Sequence, residues 1–110
     1  MKAWAAVAIG AVFAGCAGAS LADSRGKAVY EQTCIACHGA DGKGAVPGAP
    51  DLTKKGGPLA KADAVLLENM IKGFQTPGSP MAMPPRGGNP TLTEDDLKAV
   101  LRYMRAAFGS

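Results

Sequence analysis

Side chains that bind metals are scarce in this sequence: a single histidine, His38, and three cysteines among 110 residues. A structural zinc site wants four Cys or His ligands, and beyond the leader described below only Cys34, Cys37 and His38 remain. Alternating apolar and polar runs of strand length are also missing, so sheet folds are not expected. That absence removes a thioredoxin-like dithiol, whose C-x-x-C belongs near a βαβ pattern. Charge is in short supply as well. The formal net charge is only +3, too mild to argue for nucleic acid. No internal repeat is visible.

The longest apolar run stands at the start. Lys2 is followed by the uncharged AWAAVAIGAVFAG and then by small residues ending ASLA. A basic start, a short apolar centre and a small-residue exit describe a secretory signal. Cleavage is expected after Ala22, with Ser20 and Ala22 as the small residues. The run falls short of the roughly 20 apolar residues of a membrane span, and an uncleaved anchor is the alternative. Cys16, in FAGC, resembles the lipidated cysteine of a lipobox, although Phe13 replaces the usual leucine. Lipidation there would tether the protein to a membrane.

Residues 1–22 are thus expected to be a cleaved signal peptide, and residues 23–110 one domain. A core this small often needs a staple. A disulfide between Cys34 and Cys37 would close only a tiny loop, so something else should fill the interior.

Helical periodicity is plentiful. A first helix should start near Ser24 as N-cap and carry Gly26, Val29, Tyr30 and Thr33 toward the cysteines. Residues 39–58 are rich in Gly and Pro and read as loop. In ADAVLLENMIKG, Ala62, Leu66, Leu67, Met70 and Ile71 line one face, and Gly73 suits a left-handed C-cap. The last helix has Thr93 as N-cap with Asp96 completing a box, and a Leu92–Leu97 staple. Its apolar stripe is Leu97, Val100, Leu101, Met104 and Phe108. Glu94, Asp95 and Asp96 open it and Arg102 and Arg105 close it, matching the macrodipole. Between these helices, residues 73–90 form a second long Gly/Pro loop, and such loops usually have a function.

The chemistry is concentrated in Cys34-Ile35-Ala36-Cys37-His38. C-x-x-C-H directly suggests covalent haem attachment. Residues three apart on a helix share a side, so both sulfurs can bond one porphyrin while the adjacent imidazole ligates iron. With no second histidine, the other soft donor is a methionine. Met70 and Met104 sit on apolar helix faces and read as core. Met81 and Met83 lie in the loop. Met83 is preferred because Pro84 and Pro85 stiffen the chain beyond it, with Met81 as the fallback.

CIACHGADGKG, MPPRGG and VLRYMR together resemble a class I cytochrome c of the short bacterial monohaem, c-five-like type. The resemblance implies an all-α cytochrome c fold, three to four helices around one covalently attached haem c, and electron transfer in the periplasm. It also points to Met83, from the Met-Pro-Pro run, as axial ligand opposite His38. It further implies that a proline carbonyl accepts from the histidine ring. Pro50 fits that place, with Pro47 as the near alternative and Leu52 packing on the haem. The terminal helices should cross, with Gly26 and Tyr30 against Val100 and Tyr103.

The expected function is therefore a one-electron carrier and not an enzyme, working with other redox proteins. The alternatives are a haem sensor or open-site haem protein, or a fixed relay subunit of a larger redox complex. Lys43, Lys54, Lys55, Lys72 and Arg86 fall in or near the loops around the haem edge, where they would steer an acidic partner.

Overall fold

The computed structural model describes residues 24–109. The signal segment, the cleavage point after Ala22 and Cys16 lie outside them. Three helices and two short 3₁₀ turns, at Pro58–Ala60 and Pro85–Gly88, account for the regular structure of the described residues. They contain no strand, only an isolated antiparallel pairing of Phe74 with Met83. The all-α expectation holds.

Helix α1 runs over residues 24–38. Ser24 is already helical, which corrects its expected place as the cap. The middle of α1 widens into a π turn at Tyr30–Cys34 before Ile35–His38 finishes it. Such turns are rare and favour functional positions. Here Tyr30 packs toward the last helix while Cys34, one widened turn on, lines the cavity described below. Gly39 ends α1 with φ 84°. The chain then doubles back, and Ala45 and Gly44 donate to the carbonyls of Cys37 and His38, each at 2.8 Å.

Helix α2 is Asp63–Lys72. Leu66 and Met70 are buried, Leu67 and Ile71 half-buried. Ala62 stands exposed at the N-cap, off the face it was assigned to. Gly73 has the expected positive φ, 85°, but ψ is 164°, so it is extended rather than left-handed helical. That geometry turns the chain directly into the Phe74–Met83 pairing.

Helix α3, Glu94–Phe108, follows its sequence signals closely. Asp96 N–H donates to Thr93 Oγ1 at 3.1 Å, and Thr93 N–H donates to Asp96 Oδ2 at 2.9 Å, closing the capping box. Leu92 and Leu97 are both buried across it. Leu97, Val100, Leu101 and Met104 are buried and Phe108 is half-buried, so the apolar stripe faces inward.

The terminal helices cross at Gly26. A Cβ there would run into the Ala99 backbone carbonyl and sit 2.8 Å from Tyr103 Cβ. Glycine is thus what lets the backbones approach. Tyr30, only 1 % exposed, packs on Tyr103 and Phe108 with ring centroids 5.5 and 5.3 Å away. Its hydroxyl donates to the Gly39 carbonyl at 2.5 Å, and burial is the main reason its pKa is pushed up to about 12. Arg25 of α1 pairs with buried Asp96 of α3, a link the sequence did not suggest. No helix among the described residues is long and apolar enough to cross a membrane.

Candidate cofactor site

The helices and loops leave a partly open cavity of about 170 Å³. Cys34 and His38 of α1 form one wall, Leu66 and Met70 of α2 another, and Leu97, Val100 and Met104 of α3 a third. Two Gly/Pro loops complete it: residues 46–50 on one lip, and a second lip that includes Met81 and Met83. The lips meet where a Cβ on Gly48 would lie 3.2 Å from Pro80 Cδ.

His38 reaches the cavity because it is the last helical residue of α1. Its Nδ1 is buried without a hydrogen-bond partner. Burial lowers its pKa, favouring the neutral imidazole that can offer a lone pair. Pro50 and Pro47 both line the cavity, but the expected hydrogen bond from the ring to the Pro50 carbonyl is not formed in this structure. Leu52 is buried and lines the wall as expected, pinned by its N–H to Gly42 O at 2.7 Å.

No disulfide joins Cys34 to Cys37. Burial, then the neighbouring Cys37, pushes the Cys34 pKa up to about 11. Cys34 lines the cavity and Cys37 does not. Four methionines line it: Met70 and Met104 buried in the core, Met83 half-buried against that core, and Met81 48 % exposed. Met83 is tethered on both backbone atoms, donating to Phe74 O at 2.7 Å and accepting from Phe74 N at 3.0 Å. Met81 is held only through Ser79, whose hydroxyl donates to its carbonyl at 2.9 Å.

Of the five cations expected near the haem edge, Arg86 lines the cavity. Lys43, Lys54, Lys55 and Lys72 do not line the cavity. Lys72 is paired with Glu68 at 2.9 Å, and Arg86 donates through Nη1 to Leu92 O at 2.6 Å. The cation that sequence reasoning missed is Lys61, whose Nζ lies 4.7 Å from the Phe74 ring centroid at the cavity edge. No local pattern marks it, because Lys61 and Phe74 flank α2 at opposite ends.

Among the described residues, no group of three or more His, Cys, Asp or Glu is placed to hold an ion on side chains alone. The site instead offers one unsatisfied imidazole, thioethers and apolar walls, beside two thiols one helical turn apart. That donor set suits an iron porphyrin.

The comparisons with known proteins agree. The Cytochrome c family model matches residues 24–107. The chain is similar to cytochrome c-555 of Chlorobaculum thiosulfatiphilum, 37 % identical over 82 residues, spanning 72 % of this chain and 88 % of the relative. It is also similar to cytochrome c-555 of Prosthecochloris aestuarii, 34 % identical over 83 residues, spanning 74 % and 83 %. The chain belongs to the cytochrome c family, as a small class I monohaem member that carries electrons on covalently attached haem c.

Proposed function

We propose that this chain is an exported, periplasmic one-electron carrier whose iron is held between His38 and Met83 and whose haem is joined to Cys34 and Cys37. The observation that carries this reading is the convergence of His38 and a backbone-tethered Met83 on one apolar cavity. Bound haem supplies a reversible one-electron iron couple. His38 contributes a neutral nitrogen. Its other ring N–H then needs an acceptor, as metal-bound histidines usually have; the carbonyl of Pro50, or of Pro47, is the candidate. Met83 contributes a weak, neutral thioether, which with histidine favours the higher potentials of carriers. The apolar walls keep water from the site and so help tune that potential.

With His38 and Met83 both holding the iron, the site would have no place for a substrate, which favours a carrier over an enzyme or an open-site sensor. Its partners are a donor and an acceptor protein that exchange electrons through the cavity mouth. Residues 1–22 act as the export signal, and lipidation at Cys16 is the membrane-tethered variant of the same reading. Visible spectra of the oxidised protein test the ligands. Wild type should be low-spin with the far-red band of methionine–ferric ligation, and Met83→Ala should lose that band. A high-spin wild type would mean an open site, and a band surviving in Met83→Ala would move the ligand to Met81.

A further inference from the structure

The chain just beyond Met83 is built as a rigid piece. Arg86 is the one non-glycine residue with positive φ, 54°, among the described residues, a conformation that costs energy and persists only when its surroundings impose it. Its guanidinium is bonded to Leu92 O. Asn89 Oδ1 accepts from Thr91 N–H at 3.1 Å and from the Thr91 hydroxyl at 2.6 Å. The segment is therefore clamped on itself. Its seat on α1 is small: Asn89 Nδ2 donates to Thr33 Oγ1 at 3.3 Å, and a Cβ on Gly87 would lie 2.7 Å from Thr33 Cγ2. Thr33 is the residue before Cys34, so the methionine segment rests on the turn that carries the haem-attaching cysteine.

We propose that the contact of Thr33 with Gly87 and Asn89 is a latch that keeps the Met83 thioether on the iron. The inference rests on the ligation by Met83 proposed above. On the α1 side this stiff segment is held by one neutral hydrogen bond and one methyl contact; when that seat fails, the segment swings about the Phe74–Met83 pairing that still holds its other end. An outside ligand binds only when Met83 has left, so its apparent affinity scales with the open fraction. Thr33 and Asn89 are positioning residues, acting on the iron through Met83.

Imidazole titration of the ferric holoprotein, followed by loss of the far-red band, reads this fraction. Thr33→Val keeps the methyl and shape but removes the acceptor; it should bind imidazole about fivefold more tightly, the effect of one neutral hydrogen bond. Thr33→Ser, which keeps the acceptor, should stay nearer wild type. Gly87→Ala forces the segment off α1 and should raise imidazole affinity by more than Thr33→Val. Wild-type affinity in both Thr33→Val and Gly87→Ala would overturn the latch. The Met83→Ala protein separates the two ideas: if it keeps the far-red band, the ligand assignment itself fails.

Discussion

Replacing Gly26 by alanine sets two effects of opposite sign against each other at the helix crossing. Alanine is the better helix former by about 1 kcal/mol, so on propensity alone the variant would be more stable. The crossing opposes this. The new methyl would collide with the Ala99 carbonyl and stand 2.8 Å from Tyr103 Cβ, against roughly 3.5–4.0 Å for carbon atoms at rest. Neither neighbour is the free end of a flexible chain, so α1 and α3 must part by about 1 Å, taking Tyr30 away from the Tyr103 and Phe108 rings. Overpacking of this kind costs about 1–3 kcal/mol; a contact with backbone belongs at the upper end. The net expectation is a loss of about 2 kcal/mol, a large share of the 5–15 kcal/mol typical of a domain. For a domain this size it lowers the thermal midpoint by about 8–16 °C. Thermal unfolding of the holoprotein, followed by far-ultraviolet circular dichroism, measures it. The far-red band should be unchanged in the folded variant, since Gly26 does not line the cavity. A variant as stable as wild type, or more so, would refute the close-approach argument.

Two further outcomes follow from charge. The Thr93 backbone N–H, then Arg25, hold the Asp96 carboxyl below the usual range against the opposing effect of burial. The folded pKa lies below the unfolded one, so the stabilisation is complete above about pH 4 and is lost as pH falls through the lowered value. Wild type should therefore exceed Asp96→Asn in denaturant midpoint at pH 7, with the gap closing in acid; a gap that widens in acid would contradict the pairing. At the cavity mouth, residues 44–50 and 73–85 carry no charged side chain; of the two cations that line the cavity, Arg86 is bonded to Leu92 O and Lys61 sits over the Phe74 ring, and Lys43, Lys54, Lys55 and Lys72 lie off the lining. Electron-transfer rates with a physiological partner should vary little with ionic strength; a steep fall with salt would restore the lysine-steered docking expected from sequence.

What was legible in the sequence was local. Thr93, Asp96, Leu92 and Leu97 act within two turns of one helix, and all four stand as their spacing indicates. C-x-x-C-H marks the chemistry, and the spacing of Gly26 and Tyr30 marks the crossing. The π turn at Tyr30–Cys34 has no comparable signal, because the periodicity of α1 before and after it is ordinary. Gly73 announced a positive φ but not its ψ, which is set by the pairing of Phe74 with Met83. Arg86 in a glycine-like conformation runs against its residue type and is held by Leu92 O, a partner set by the folded loop. The lysines misled for the opposite reason. Their loops do border the site, but proximity in sequence does not say which way a side chain leaves the backbone: of the expected group Arg86 lines the cavity, and Lys61, from outside the group, joins it there.

The cavity and the core are largely the same side chains. Leu52, Leu59, Leu66, Met70, Leu97 and Val100 belong to the buried cluster and also line the cavity. A domain with so few apolar residues cannot build one core for stability and another for the cofactor. The apolar face of α2, the stripe of α3 and the turn before Cys34 are therefore completed by the group they enclose, and the staple that the short chain calls for is the haem itself. This explains why the long Gly/Pro loops are tolerated. They need not fold on their own, because each is pinned at a few points: Leu52 to Gly42, Met83 to Phe74, Asn89 to Thr33. Each pin holds the backbone at or beside a residue proposed to touch the haem. In this fold, the elements that stabilise the chain and those that position the ligands are one set.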